Sequence, residues 1–352
     1  MNPLYWLKKS YFWGFFIFLC CGNVNAAYLE AGSPVITSVL GPENVALVIN
    51  DADLTSIRLG EYYRVARGIP VKNIVHVKIP HTPSKLTVPE FNHLKFEIER
   101  QLHSTEQVLL LAWTSPYAVA CNSITAALTF GYDAEQCKNT CAPGKPSPYF
   151  DSTSKSPLKD HGIRLAMLLP SDSFSRAKSV VDKGVQSNAG VFRAKAYYLT
   201  TSDYNRSSRA RLFPPNGLEI PRSGLSVMNL HSDKLTGVRD IMIYQTGLAW
   251  VNDLDTLNFM PGALADHLTS SGGDLYGKSQ MSILRWLDAG ATASYGTVSE
   301  PCSYWQKFPN PTLLLKWYSQ GATAVEAYWK SVAWPAQGLL IGEPLAAPYQ
   351  AH

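Results

Sequence analysis

Short, wholly apolar runs alternate with amphipathic stretches along this chain, and that alternation limits its fold more than any other feature. NVALVIN (44–50), NIVHVKIP (73–80) and QVLLLAW (107–113) are rich in branched apolar residues and bounded by turn formers, as buried strands are. Between the first two, Leu59, Tyr62, Tyr63 and Ala66 form a helical stripe that Gly68 and Pro70 stop. Between the second and third, Pro89 opens a helix with Phe91, Leu94, Ile98 and Leu102 on one face. Strand–helix–strand order with uniformly apolar strands predicts a parallel sheet with right-handed crossovers. The expected fold class is α/β, a mostly parallel sheet flanked by helices.

The pattern continues. GIRLAMLLP reads as a strand, and Ser171 and Asp172 are capping candidates for a helix with Phe174, Ala177, Val180 and Val181 inward. FRAKAYYLT is a further strand, and residues 214–237 are mixed and rich in Pro and Gly. The stretch from Asp240 to Pro301 then reads strand (DIMIYQTGLAW), small-residue helix (MPGALADHLTSSGG), amphipathic helix (SQMSILRWLDAG) and strand (ATASYGTVSEP). Two helices broken at Gly321 and a terminal strand, GLLIGEPLAAPY, complete the chain. No internal repeat is present. Residues 138–160 are the most loop-like part and form an excursion from a single α/β domain spanning 27–352.

Lys8 and Lys9 precede the run YFWGFFIFLCC, and small residues follow up to Ala26. This arrangement predicts a signal peptide over 1–26 and an exported protein, periplasmic or extracellular. No later stretch is apolar enough to span a membrane. Removing 1–26 lowers the formal net charge from +4 to +2, too little to argue for nucleic acid. Cys121, Cys137, Cys141 and Cys302 remain, an even number that favours disulfides in an oxidising compartment. Three pairings are open. Cys137 and Cys141 are close enough to close a small loop.

Ligands of parallel sheets gather at the strand carboxyl ends. The candidate edge residues are Asn50, Asp51, Trp113, Thr114, Asp203, Gln245, Thr246 and Glu300, with His267 and Ser270 from the segment between the last strands. The same residue types also serve strand-end turns. His267 is the foremost candidate base, with Glu300 or Asp203 to orient it and Cys302 as a possible thiol nucleophile, against structural roles for all four. No histidine spacing argues for a metal. No glycine loop fits a phosphate, so no cofactor is implied.

Several segments, among them WTSPYAVACNSITAALTFGYDAEQC, YYLTTSDYNRSSRA, PGALADHLTSSGG and GATASYGTVSEPC, resemble a family of exported bacterial proteins of uncharacterised function. More distantly, the order of elements is similar to the caspase-like fold of gingipain-type cysteine peptidases. That resemblance implies a three-layer sandwich with a His/Cys dyad on adjacent strand ends. DIMIYQTG stands where those enzymes have Gly-His-Gly, and LNFMPGALADH where they have the nucleophilic cysteine. Gln245-Thr246-Gly247 has no histidine and Met260-Pro261-Gly262-Ala263 no cysteine. The expectation is a non-peptidase module, envelope-associated or binding a small molecule or peptide. The alternative is a hydrolase built on His267, Glu300 or Asp203, and Cys302.

Overall fold

The computed structural model describes residues 40–350 except 82, 189, 191 and 192. The expected signal segment, 1–26, and residues 27–39 lie outside the described residues. The main sheet has eleven strands: β1 (Val45–Asn50), β2 (Ile74–Val77), β4 (Val108–Leu111), β7 (Leu165–Leu168), β8 (Ala194–Thr200), β9 (Glu219–Ile220), β10 (Leu225–His231), β11 (Ile241–Thr246), β12 (Phe259–His267), β13 (Ala293–Thr297) and β14 (Gly338–Gly342). Their spatial order is β2-β1-β4-β7-β14-β13-β12-β11-β8-β10-β9. A small second sheet holds β3 (Lys85–Leu86), β5 (Ala118–Val119) and β6 (Asn122–Ser123).

The helices form where capping and periodicity place them. Asp53 caps Leu54–Arg67, and Gly68 ends it at φ 68°, a left-handed conformation that glycine adopts freely. Thr87 and Glu90 make a reciprocal capping box on Val88–Glu99. Helix Phe174–Ser187 is capped by Ser173 rather than by Ser171 or Asp172. The reason is local: the amides of Ser171 and Asp172 both donate to Thr114 Oγ1, which fastens the ends of β4 and β7 together. Leu54–Arg67 packs on Phe174–Ser187, and Pro311–Ser319 on Ala324–Ser331.

Two segments depart from the sequence reading. MPGALADH is not helical but lies in β12, beside β11. Its apolar residues do not alternate because the strand is covered on both faces. Pro261, which has no N–H to donate, falls in the irregular part of the ladder between Phe259 and Leu264. There Gly262, at φ 86°, donates to Thr292 Oγ1 and accepts from the Tyr318 hydroxyl. The mixed stretch 214–237 contains the edge strands β9 and β10.

The terminal strand is not peripheral. β14 runs antiparallel to β13, from Gly338 beside Thr297 to Gly342 beside Ala293. Toward β7 it makes one bridge, Ile341 beside Leu168, with the local form of a parallel pair. The strand as a whole nevertheless descends between its neighbours. Gly338 O accepts from Ser123 Oγ, in the segment that follows β4. Glu343 instead meets Tyr63 and Arg67 at the far end of the helix that descends from β1. Where ladder bonds to β7 are missing, side chains supply them. Thr125 Oγ1 accepts from Leu340 N, Thr129 Oγ1 accepts from Ala166 N, and Trp329 Nε1 donates to Ala166 O.

At one sheet edge, Gln101 acts as a substitute strand: its amide accepts from His76 N and donates to His76 O. At the other, β9 covers part of β10, and Gly217 and Asn216 cover its continuation. Both edges are thereby blunted against pairing with another chain.

Disulfides join Cys121 to Cys137 and Cys141 to Cys302. The small Cys137–Cys141 loop does not form. Two disulfides suit an oxidising, non-cytoplasmic compartment. Among the described residues no helix is long and apolar enough to cross a membrane. The 138–160 excursion is bound to the body by lysines as well as by Cys141. Lys307 Nζ donates to Thr140 O, Lys330 Nζ to Ser152 O and Ser154 O, and Lys316 Nζ pairs with Asp151.

The buried Glu343 carboxylate accepts from Arg67 Nε and Nη2 at 2.9 and 2.5 Å and from the Tyr63 hydroxyl at 2.8 Å. Gly184 lies against it so closely that a Cβ would collide with the carboxylate. Gly184→Ala should therefore cost roughly 1–3 kcal/mol by overpacking. Glu343→Ala, which strands Arg67 inside, should cost about 3–5 kcal/mol. Denaturant unfolding followed by circular dichroism measures both, and an unchanged midpoint for Gly184→Ala would contradict the close fit.

Candidate functional site at the strand carboxyl edge

The two halves of the sheet present their strand ends at a common edge. Near the end of its helix, Lys183 Nζ donates to Phe259 O and Gly290 O, at or just ahead of the starts of β12 and β13. The opposite, carboxyl ends meet through the Tyr117 hydroxyl, which donates to Asp274 Oδ1 at 2.6 Å, and through Ser299 Oγ, which donates to Cys121 O. Tyr117 and Cys121 follow β4; Asp274 and Ser299 follow β12 and β13.

The first half of the edge is spent on fastening strands. Asn50 Oδ1 accepts from Ile79 N and Ala52 N, and its Nδ2 donates to Ile79 O, so it joins the ends of β1 and β2. Asp51 pairs with His76 at 2.8 Å on the surface. Trp113 is buried with its indole donating to Pro116 O. Thr114 Oγ1 donates to Asp172 Oδ1 as well as accepting the two amides described above.

The second half holds a buried polar cluster. Gln245 lies beside Asp266 and Thr246 beside His267 in the β11/β12 register. Gln245 Nε2 donates to Asp266 Oδ2 at 2.8 Å. Arg209, from the loop after β8, pairs with Asp266 at 2.5 Å. Its Nη2 also donates to Thr246 O and Asp266 O, and its Nη1 to Pro309 O. All four of these residues, Gln245, Asp266, Thr246 and Arg209, are buried. Burial pushes the Asp266 carboxyl up from its ordinary value, against the pull of Arg209. Arg209 Nε, Gln245 Oε1 and Thr246 Oγ1 have no protein partner.

His267 ends β12 and is fully buried. Trp286 Nε1 donates to His267 Nδ1 at 2.9 Å. The Nδ1 acceptor role fixes the tautomer, so Nε2 carries the proton and donates to Met281 O at 3.1 Å. Burial, reinforced by the nearby Arg209 and Arg206 charges, lowers its pKa to about 3. A neutral imidazole with both nitrogens committed cannot take a proton from a substrate.

The expected orienting groups are engaged elsewhere. Asp203 pairs with Arg206 at 2.6 Å, and Glu300 Oε1 accepts from Cys302 N. Cys302 is in a disulfide, so the thiol-nucleophile reading is excluded. Ser270 contributes a carbonyl that accepts from Thr297 Oγ1. Among the described residues no three His, Cys, Asp or Glu side chains converge as metal ligands would. Sequence reasoning missed the Arg209–Asp266 pair. Arg209 stood in a polar loop among other arginines, and only its buried partner distinguishes it.

No protein-family model, curated protein or solved structure matches the chain.

Protonating Nδ1 would remove the acceptor that Trp286 uses. The unfolded chain binds this proton near pH 6.5, while the fold resists it down to about 3. The stabilising contribution is therefore complete above pH 6.5 and lost as pH falls toward 3, on the order of 5 kcal/mol in all. The melting temperature should fall between pH 6.5 and 4.5, and the fall should be smaller in His267→Gln. Equal slopes in the two proteins would show that His267 is not the group responsible. Arg209→Met should cost about 3–5 kcal/mol in denaturant unfolding, because it leaves Asp266 buried without its cation.

Proposed function

We propose that this is an exported, non-peptidase binding module on a caspase-like α/β scaffold, with its ligand at the strand carboxyl edge. One observation carries the reading. At the adjacent ends of β11 and β12, where such a scaffold would place a histidine and a nucleophile, the titratable side chains are committed to structural partners, and the Thr246 hydroxyl is buried with no base in hydrogen-bond contact. Gln245 and Asp266 bond to each other, Asp266 to Arg209, and His267 to Trp286 and Met281. A nucleophile requires a base within hydrogen-bond reach, and neither is available in this cluster. Export is supported by the two disulfides and by the charged and apolar start of the chain.

The loops at this edge are built to hold a fixed shape, as a binding surface needs. Arg206 Nε donates to Thr269 Oγ1, which donates to Gln280 Oε1, and Gln280 also accepts from Ser271. Thr201 Oγ1 donates to Gly247 O, and Met281 N to Ala249 O.

The purified mature protein should release no product from casein, from a mixed peptide library or from nitrophenyl esters beyond the buffer rate. Turnover that disappears in His267→Gln would reinstate the hydrolase reading.

A further inference from the structure

Exposed aromatic and exposed aliphatic side chains are segregated on this protein. The exposed aliphatic residues Leu54, Ile57, Val65, Val71 and Val185 lie on or beside the two packed helices Leu54–Arg67 and Phe174–Ser187. Among the described residues, of the large exposed aromatics only Phe96 lies on a helix. The others are Tyr204, Trp250 and Tyr276, 89%, 52% and 51% exposed. They stand on the loops that follow β8, β11 and β12, all at the strand carboxyl edge.

These three loops are joined to one another. Gly247 presses against the backbone at Arg206 so closely that no Cβ would fit between the first loop and the second. Ala249 O accepts from Met281 N, joining the second to the third, and Arg206 reaches Thr269 across from the first. The Tyr276 ring is backed edge-on by Tyr117 at 5.9 Å, and Tyr117 is itself held by Asp274. The loops that carry the three aromatic residues are therefore braced against one another, and the Tyr276 ring is itself backed by a second ring. Exposing such rings on a rigid surface forgoes their burial energy, which points to a ligand that covers them.

We propose that this surface binds carbohydrate, an inference that rests on the non-catalytic binding reading above. A pyranose has an apolar C–H face that stacks on an aromatic ring and a rim of hydroxyls that need donors and acceptors. Both are present here. The Asp203–Arg206 pair is a quarter exposed beside Tyr204, Asn205 and Asn252 are exposed, and Lys278 and Ser279 flank Tyr276 on its loop. A purely apolar protein partner would be served better by the aliphatic helix faces. A nucleic acid would require a net cationic surface, whereas on these loops Asp203, Asp253, Asp255 and Asp274 balance Arg206, Arg209, Arg211 and Lys278.

The probes are hexaoses of β-1,4-linked glucose, β-1,4-linked N-acetylglucosamine and α-1,4-linked glucose, titrated against tryptophan fluorescence and checked by calorimetry. At least one should bind saturably. Trp250→Ala and Tyr204→Ala should each weaken it about tenfold, while Phe96→Ala leaves it unchanged. Absence of binding by all three at millimolar concentration, with circular dichroism intact, would overturn the inference. So would affinity that survives replacement of all three edge aromatics. If a hexaose binds and is shortened, the carbohydrate inference stands and the non-catalytic reading fails. If no sugar binds but a peptide does so in a Trp250-dependent way, the carbohydrate inference fails and the binding reading stands.

Discussion

The carboxylate of Glu343 is the point on which the centre of this fold depends. It follows the last strand of the chain, and it is held by an arginine and a tyrosine from the first helix. That contact spans nearly the whole described sequence. It seats β14 between β7 and β13, so the middle of the sheet is incomplete until the C-terminal segment arrives. A buried carboxylate is costly, and bidentate pairing with Arg67 plus the Tyr63 hydroxyl satisfies it. The chain gives up side-chain volume at Gly184 to make room. The ion pair forms with the strand seated so that Glu343 meets Arg67, Tyr63 and Gly184 together.

The same economy recurs elsewhere. β14 has only one bridge to β7, and threonine and tryptophan side chains take the bonds that a ladder would have made. The 138–160 excursion has little regular structure, and three lysines and a disulfide hold it. Lys307 and Lys330 are desolvated enough that each pKa falls to about 8. Their ammonium groups donate to backbone carbonyls of the excursion, and Lys330 also faces the rings of Tyr149 and Trp317. Irregular backbone is stable here because buried cations satisfy it, not because it forms secondary structure.

At the strand carboxyl edge, chemistry and structure compete for the same residues. A histidine, an aspartate, an arginine and a glutamine meet at adjacent strand ends, the types an active site would use. Asp266 and both ring nitrogens of His267 are held by protein partners, and the atoms left over, Arg209 Nε and Gln245 Oε1, are buried. His267 is the sharpest case: its sequence position suggested a base, while its neighbours Trp286 and Met281 make it a neutral link between β12 and the following loop. What remains available to a ligand is the loop surface above, with its aromatic side chains and its braced backbone.

The local rules of the sequence were sufficient for much of the framework. Apolar runs marked β1, β2, β4, β7, β8, β11 and β13, and Gly68, Pro89 and Gly321 marked helix ends. These features follow from short-range propensity, which one segment contains by itself. Periodicity failed in β12, because a strand buried on both faces carries no alternation and its Pro261-Gly262 irregularity breaks the pattern. It also could not tell that GLLIG is central rather than terminal, since insertion between β7 and β13 is a long-range event. The even cysteine count implied disulfides, but pairing Cys141 with Cys302 requires residues 161 apart in sequence to meet. The buried cluster of Arg209, Gln245, Asp266 and His267 was equally hidden. Sequence alone determined the alternating elements and the supply of polar residues at their ends. Only the tertiary structure decided which of those residues would be sealed inside and which left to meet a ligand, because burial is set by neighbours distant along the chain.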